Sequence, residues 1–75
     1  MANHGMTAKG AATKARIVEG AAALIREQGP AETSLDEVLT VTSTSKSQLF
    51  HYFPDGRKDL LLTVAEHEAG QVLAA

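Results

Sequence analysis

Within two helical turns between Ser45 and Phe53 the chain gathers Lys46, Ser47, Gln48, His51 and Tyr52, side chains that all can donate hydrogen bonds. That set suits phosphate oxygens and the edges of bases, where hydroxyl, ammonium, imidazole and amide groups find acceptors. It suits catalysis poorly. The chain has no cysteine, and it carries no glycine-rich phosphate loop, no His-x-x-x-His pair and no paired carboxylates that would form a cleft. His4, His51 and His67 share no ligand spacing, so neither a metal nor another cofactor is expected, and the chain is read as a non-enzyme.

The net charge of −2 runs against a nucleic-acid partner at first sight, since phosphate neutralisation needs Lys and Arg. Its distribution says more than its sum. From Met1 to Val18 the charges are Lys9, Lys14 and Arg16 with no acid, and from Leu39 to Pro54 Lys46 stands alone, again with no acid. The carboxylates lie elsewhere, so one face can be positive on an acidic protein, although the same segregation also describes an ordinary solvated surface. No apolar run reaches the length of a signal sequence or a membrane span, which predicts a soluble protein without a membrane partner; the lack of cysteine fits a reducing cytoplasm.

These donors must be positioned by a small scaffold. Seventy-five residues make one domain, which buries only about 60% of its unfolded surface, so the core will be thin and built from Ala, Leu and Val. Residues 1–12 show no apolar period and read as a disordered arm. Ile17, Ala21, Leu24 and Ile25 then recur at helical spacing, predicting a first helix from Thr13 to Gln28, stopped by Gly29-Pro30. Ser34-x-x-Glu37 is a capping box opening a second, two-turn helix with Leu35, Val38 and Leu39 on one stripe. Thr40 to Thr44 are β-branched or hydroxyl residues and predict a tight break with no packed face. An edge strand is the other reading of that run. Ser45-x-x-Gln48 is a second capping box, opening a short helix whose Leu49, Phe50 and Phe53 point inward and which ends before Pro54. After the Pro54-Asp55-Gly56 turn, Leu60, Leu61, Val64 and Ala65 begin a fourth helix that can run to the C-terminus. The expected fold is therefore all-α: a three-helix helix-turn-helix domain over 13–55, with the start of a fourth helix over 56–75. Two short helices joined by a few residues and flanked by apolar helices prop a recognition helix away from the core. At 1.5 Å per residue the third helix is about 12 Å long, enough to cross a major groove.

The residues Gly29, Thr33-Ser34-Leu35, Asp36-Glu37-Val38-Leu39, Ser45-Lys46-Ser47-Gln48-Leu49-Phe50 and Tyr52-Phe53-Pro54, followed by a basic residue and Asp59-Leu60-Leu61, closely resemble the N-terminal domain of the TetR family of transcriptional regulators. The resemblance covers Thr13 to about Glu68. It implies a sequence-specific DNA-binding regulator, in most members a repressor, that acts as a homodimer on a palindromic operator and answers to a small-molecule inducer. Residue by residue, it implies phosphate contacts from Ser34 and Ser45 at helix starts and from Tyr52. Lys46, Ser47 and Gln48 stand at base-facing positions, and His51 at a mixed base or backbone position. Arg57 matches a phosphate-binding lysine, although the turn is about one residue longer than the common pattern and Lys58 is the other candidate. Three positions depart from the family. Thr42-Ser43-Thr44 stands where the turn usually carries Ala-Gly-Val, so Ser43 takes a glycine's place; Ser47 also stands where glycine is frequent; and Phe50 replaces a tyrosine, which assigns it to the core.

Several positions have two readings. Gln48 either reaches a base or folds back onto its own helix start; His51 contacts DNA or is a solvated histidine; Lys9, Lys14 and Arg16 form an arm reaching the minor groove or a basic tail. The whole pattern also fits a small helical protein–protein interaction module that does not bind DNA. Leu61, Leu62, Val72 and Leu73 on the fourth helix lead to the expectation that the chain is part of a longer regulator.

Overall fold

The computed structural model describes residues 8–74, with side chains from Gly10 to Gly70. Helix α1 runs over Ala8–Gln28, a 3-10 turn over Pro30–Glu32, α2 over Leu35–Thr42, α3 over Lys46–Tyr52 and α4 over Arg57–Ala74. No strand occurs among the described residues, and the fold is all-α with a helix-turn-helix arrangement of α2 and α3. The edge-strand reading of Thr40 to Thr44 is excluded.

Helix α1 is the spine. Its buried residues Ile17, Val18, Ala21 and Ala22 recur three to four positions apart, and that stripe meets Val38 of α2, Leu49 of α3, Phe53, and Leu60 and Val64 of α4 in one core. Each fully buried large side chain contributes about 1.5–3 kcal/mol, so Ile17, Val38, Leu49 and Phe53 carry most of what holds a chain this small. Helix α3, seven residues long, would not persist alone. It exists because Leu49 and Phe53, one turn apart, anchor it to α1. A surface ion pair between Arg26 and Glu68 (3.2 Å) spans α1 and α4, but at this exposure it is worth at most about 1 kcal/mol.

The helix ends follow the sequence closely. Ser34 accepts the Glu37 amide (3.2 Å) while Glu37 accepts the Ser34 amide (3.1 Å). The α1–α2 connection is closed by the Gly29 amide on the Ile25 carbonyl and the Thr33 hydroxyl on the Gly29 carbonyl (2.9 Å).

Four expectations need correction. Residues 8–12, read as part of an arm, belong to α1, which is rich in alanine there; residues 1–7 lie outside the described residues. Thr40 to Thr44 is not a break throughout, because α2 continues to Thr42. Nor does the run lack a packed face. Thr42 and Thr44 are buried, with the Thr42 hydroxyl donating to the Val38 carbonyl (2.6 Å) and bonded to the Thr44 hydroxyl (2.8 Å), so their polar atoms are satisfied inside the protein. The break itself falls on Ser43, in the left-handed conformation (φ 52°, ψ 48°) where glycine is easier.

The fourth correction concerns Phe50, which is 40% exposed and not core. Leu49 and Phe53 already fill the inward stripe, and at 100° per residue Phe50 is turned to the flank of α3. Its ring lies against Gly56, where a Cβ would come within 2.9 Å of the ring edge; Gly56 has φ 63°, and that left-handed backbone is what favours glycine in the turn into α4.

Candidate nucleic-acid interface

The second capping box fixes how α3 starts. Ser45 accepts the Gln48 amide (3.1 Å), and Gln48 Oε1 accepts the Ser45 amide (3.2 Å). Gln48 thus folds back onto its own helix end, with its carbonyl oxygen occupied and only its NH₂ facing outward. Ser34 and Ser45 both spend an oxygen lone pair on a backbone amide; the Ser45 hydroxyl also donates to Gln48 Oε1 (3.4 Å), whereas the Ser34 hydroxyl keeps a proton to donate.

Beyond the cap, the inward anchoring of Leu49 and Phe53 sets the rest of α3. Ser47 and His51, four residues apart, form its outermost ridge, and both are exposed. Lys46 and Phe50 flank that ridge on one side, both exposed, and Gln48 and Tyr52 on the other. Tyr52 is half-buried against the core and meets the His51 ring edge-on, with centroids 4.9 Å apart and planes at 79°. Lys46, Ser47 and His51 are therefore brought together on one small surface that bears no carboxylate of its own helix. Tyr52 sits at its margin.

The basic residues of the N-terminal half are placed differently from either sequence reading. Lys14 and Arg16 belong to α1 and not to an arm or tail; the side chain of Lys9 lies outside the described residues. Arg16 donates from Nε to the Thr42 carbonyl (2.9 Å), closing the C-terminal end of α2 just before the Ser43 turn. The Lys14 ammonium lies 5.6 Å from the centre of the Phe53 ring, a cation–π distance. Sequence spacing held no signal for either contact, because both partners are distant along the chain.

Arg57 is also committed to the protein: its Nε donates to the Thr33 carbonyl (3.4 Å) and one Nη to the Pro30 carbonyl. It ties the start of α4 to the α1–α2 connection, while the neighbouring Lys58 is exposed. Asp59 accepts the Asp55 amide (2.9 Å) and closes the turn between α3 and α4. Among the described residues no group of His, Asp or Glu is arranged to hold a metal ion, and no helix is long and apolar enough to cross a membrane.

Residues 17–64, which run from the first core residue of α1 through the helix-turn-helix to the last core residue of α4, match the family described as bacterial regulatory proteins, tetR family. The chain belongs to the TetR family. Two curated relatives from Mycobacterium tuberculosis, one in strain CDC 1551 / Oshkosh and one in strain H37Rv, are each named an uncharacterized HTH-type transcriptional regulator. Each is 40% identical over 60 residues, covering 80% of this chain and 30% of its own length. The chain thus spans about a third of the relatives it matches. No solved structure gives a significant match.

Proposed function

We propose that this TetR-family chain is the DNA-binding end of a transcription regulator, with α3 as the helix that enters the major groove. The observation that carries the reading is the outward face of α3, where Lys46, Ser47 and His51 stand exposed on a helix pinned from behind by Leu49 and Phe53. Lys46 supplies the charge for a phosphate, Ser47 and His51 read base edges, and Tyr52 donates to a phosphate from the margin. Phe50, exposed beside Lys46, offers an apolar contact of the kind a thymine methyl accepts. The hydroxyls of Ser34 and Ser45 and the exposed Lys58 complete the backbone contacts. Arg57 acts mainly by holding α4 to the α1–α2 connection, and Gln48 by capping. The family relationship supports a cytoplasmic homodimer on a palindromic operator, repressing until a small-molecule inducer binds.

The test is a duplex selected from a randomised pool by the 75-residue chain, followed by anisotropy titrations at several salt concentrations. A linear fall of log affinity with log salt is expected, and Lys46→Ala should lower the slope by about one unit. Unchanged affinity and slope in both Lys46→Ala and His51→Ala would refute the assignment of α3. Failure to enrich any duplex would favour a protein–protein module.

A further inference from the structure

Helices α1 and α2 cross so closely that a Cβ on Gly20 would lie 2.3 Å from the Thr42 methyl. Val41, next to Thr42 on α2, is 55% exposed at the edge of this contact. Beside it runs a shallow open groove whose two lobes share Leu24 and Val41. Gly20 and Ala23 line one lobe, Asp36 and Thr40 the other, and no residue of α3 takes part. Each lobe carries carboxylates: Glu27 on α1 in one, and Asp36 with Glu37 on α2 in the other. Glu37 is engaged by Ser34 and Gln28, whereas Glu27 and Asp36 are exposed.

The charges select the occupant. A nucleic acid or an anionic membrane surface would be repelled by this rim, and a second copy would bring Glu27 and Asp36 against their own equivalents. We propose that the α1–α2 groove docks a basic amphipathic helix of another protein, which lays an aliphatic side chain against Val41 and Leu24 and sets Lys or Arg beside Glu27 and Asp36. The groove shares no residue with the α3 surface, so its success or failure is independent of the DNA reading.

The probe is a synthetic alanine-based helical peptide carrying Leu at positions i, i+4 and i+7 flanked by Lys, titrated into the isotope-labelled chain and followed by amide chemical shifts. Saturable shifts should centre on Gly20, Ala23, Leu24 and Val41, and a peptide with Glu in place of every Lys should bind at least about ten-fold more weakly. Val41→Ser should weaken the Lys peptide by a similar factor. Because Val41 is on the surface, the fold should survive that change; the double variant Glu27→Lys, Asp36→Lys is a second check and should reverse the preference between the two peptides. Equal binding of both peptides, shifts centred elsewhere, no reversal in the double variant, or concentration-dependent broadening of the groove signals without peptide, the mark of a second copy, would each overturn the proposal.

Discussion

Replacing Gly20 with alanine tests how tightly α1 and α2 are set against each other. In an unobstructed helix the change stabilises by about 1 kcal/mol, since alanine holds helical backbone better than glycine. Here the new methyl would lie 2.3 Å from the Thr42 Cγ2, where ordinary contact is 3.4–4 Å, so more than an ångström of relief is required. Thr42 cannot supply it cheaply: it is buried, and rotating the methyl away breaks its 2.6 Å bond to the Val38 carbonyl and its 2.8 Å bond to Thr44. Overpacking of this kind costs about 1–3 kcal/mol, and the size of the overlap points to the upper end. Set against the helix gain, the net loss is roughly 1–2 kcal/mol, or a fall in Tm of roughly 4–16 °C for a domain this small. Thermal unfolding followed by far-ultraviolet circular dichroism reads it directly. Thr42→Ser removes the obstructing methyl and keeps the hydroxyl, so in its presence Gly20→Ala should cost far less. Gly20→Ala no less stable than the parent chain, or the same loss with and without Thr42→Ser, would refute the reasoning.

Ser45→Ala removes the acceptor for the Gln48 amide and should destabilise the fold by about 1 kcal/mol in urea unfolding, with Ser34→Ala of similar size. Ser43→Gly should be neutral or stabilising by up to about 1 kcal/mol in the same assay, because the left-handed turn no longer carries a Cβ. Arg57→Ala should raise hydrogen exchange at amides of the Pro30–Ser34 connection, while Lys58→Ala should leave exchange there unchanged and lower the DNA salt slope by about one unit. Gln48→Ala should lower stability by roughly 0.5–1 kcal/mol and leave the base preference of a selected duplex unaltered; a changed preference would make Gln48 a reader after all.

Features that depend on neighbours three or four residues away were legible in the sequence. Both capping boxes, the Gly29-Pro30 stop and the inward pair Leu49 and Phe53 are of that kind, and with them came the all-α helix-turn-helix fold. What the sequence does not show is which polar groups are satisfied inside the protein and which partners lie far along the chain. Thr42 and Thr44 read as surface residues because a hydropathy pattern does not show that their hydroxyls are bonded to each other and that the Thr42 hydroxyl also donates to the Val38 carbonyl. Arg16 looked like part of a tail, since its partner, the Thr42 carbonyl, is 26 residues away. Phe50 was placed in the core on its type, yet the angular spacing after Leu49 already turned it aside. Within the candidate interface the sequence names Lys46, Ser47 and His51 as an exposed set, and both readings of Gln48 are local; its side-chain carbonyl oxygen and backbone amide take part in the cap with Ser45, and its NH₂ is not used there.

Phe53 closes the last turn of α3 with its amide on the Leu49 carbonyl (2.8 Å), fills the centre of the core with its ring and supports the Lys14 ammonium on its face. Aiming α3 and folding the chain are thus one task performed by the same side chain. In a screen for variants that lose DNA binding, changes at Phe53 and Leu49 would emerge alongside true contact residues and look just like them. Steady-state protein abundance tells the classes apart: a contact allele accumulates to parental levels, whereas a Phe53 allele is depleted by proteolysis.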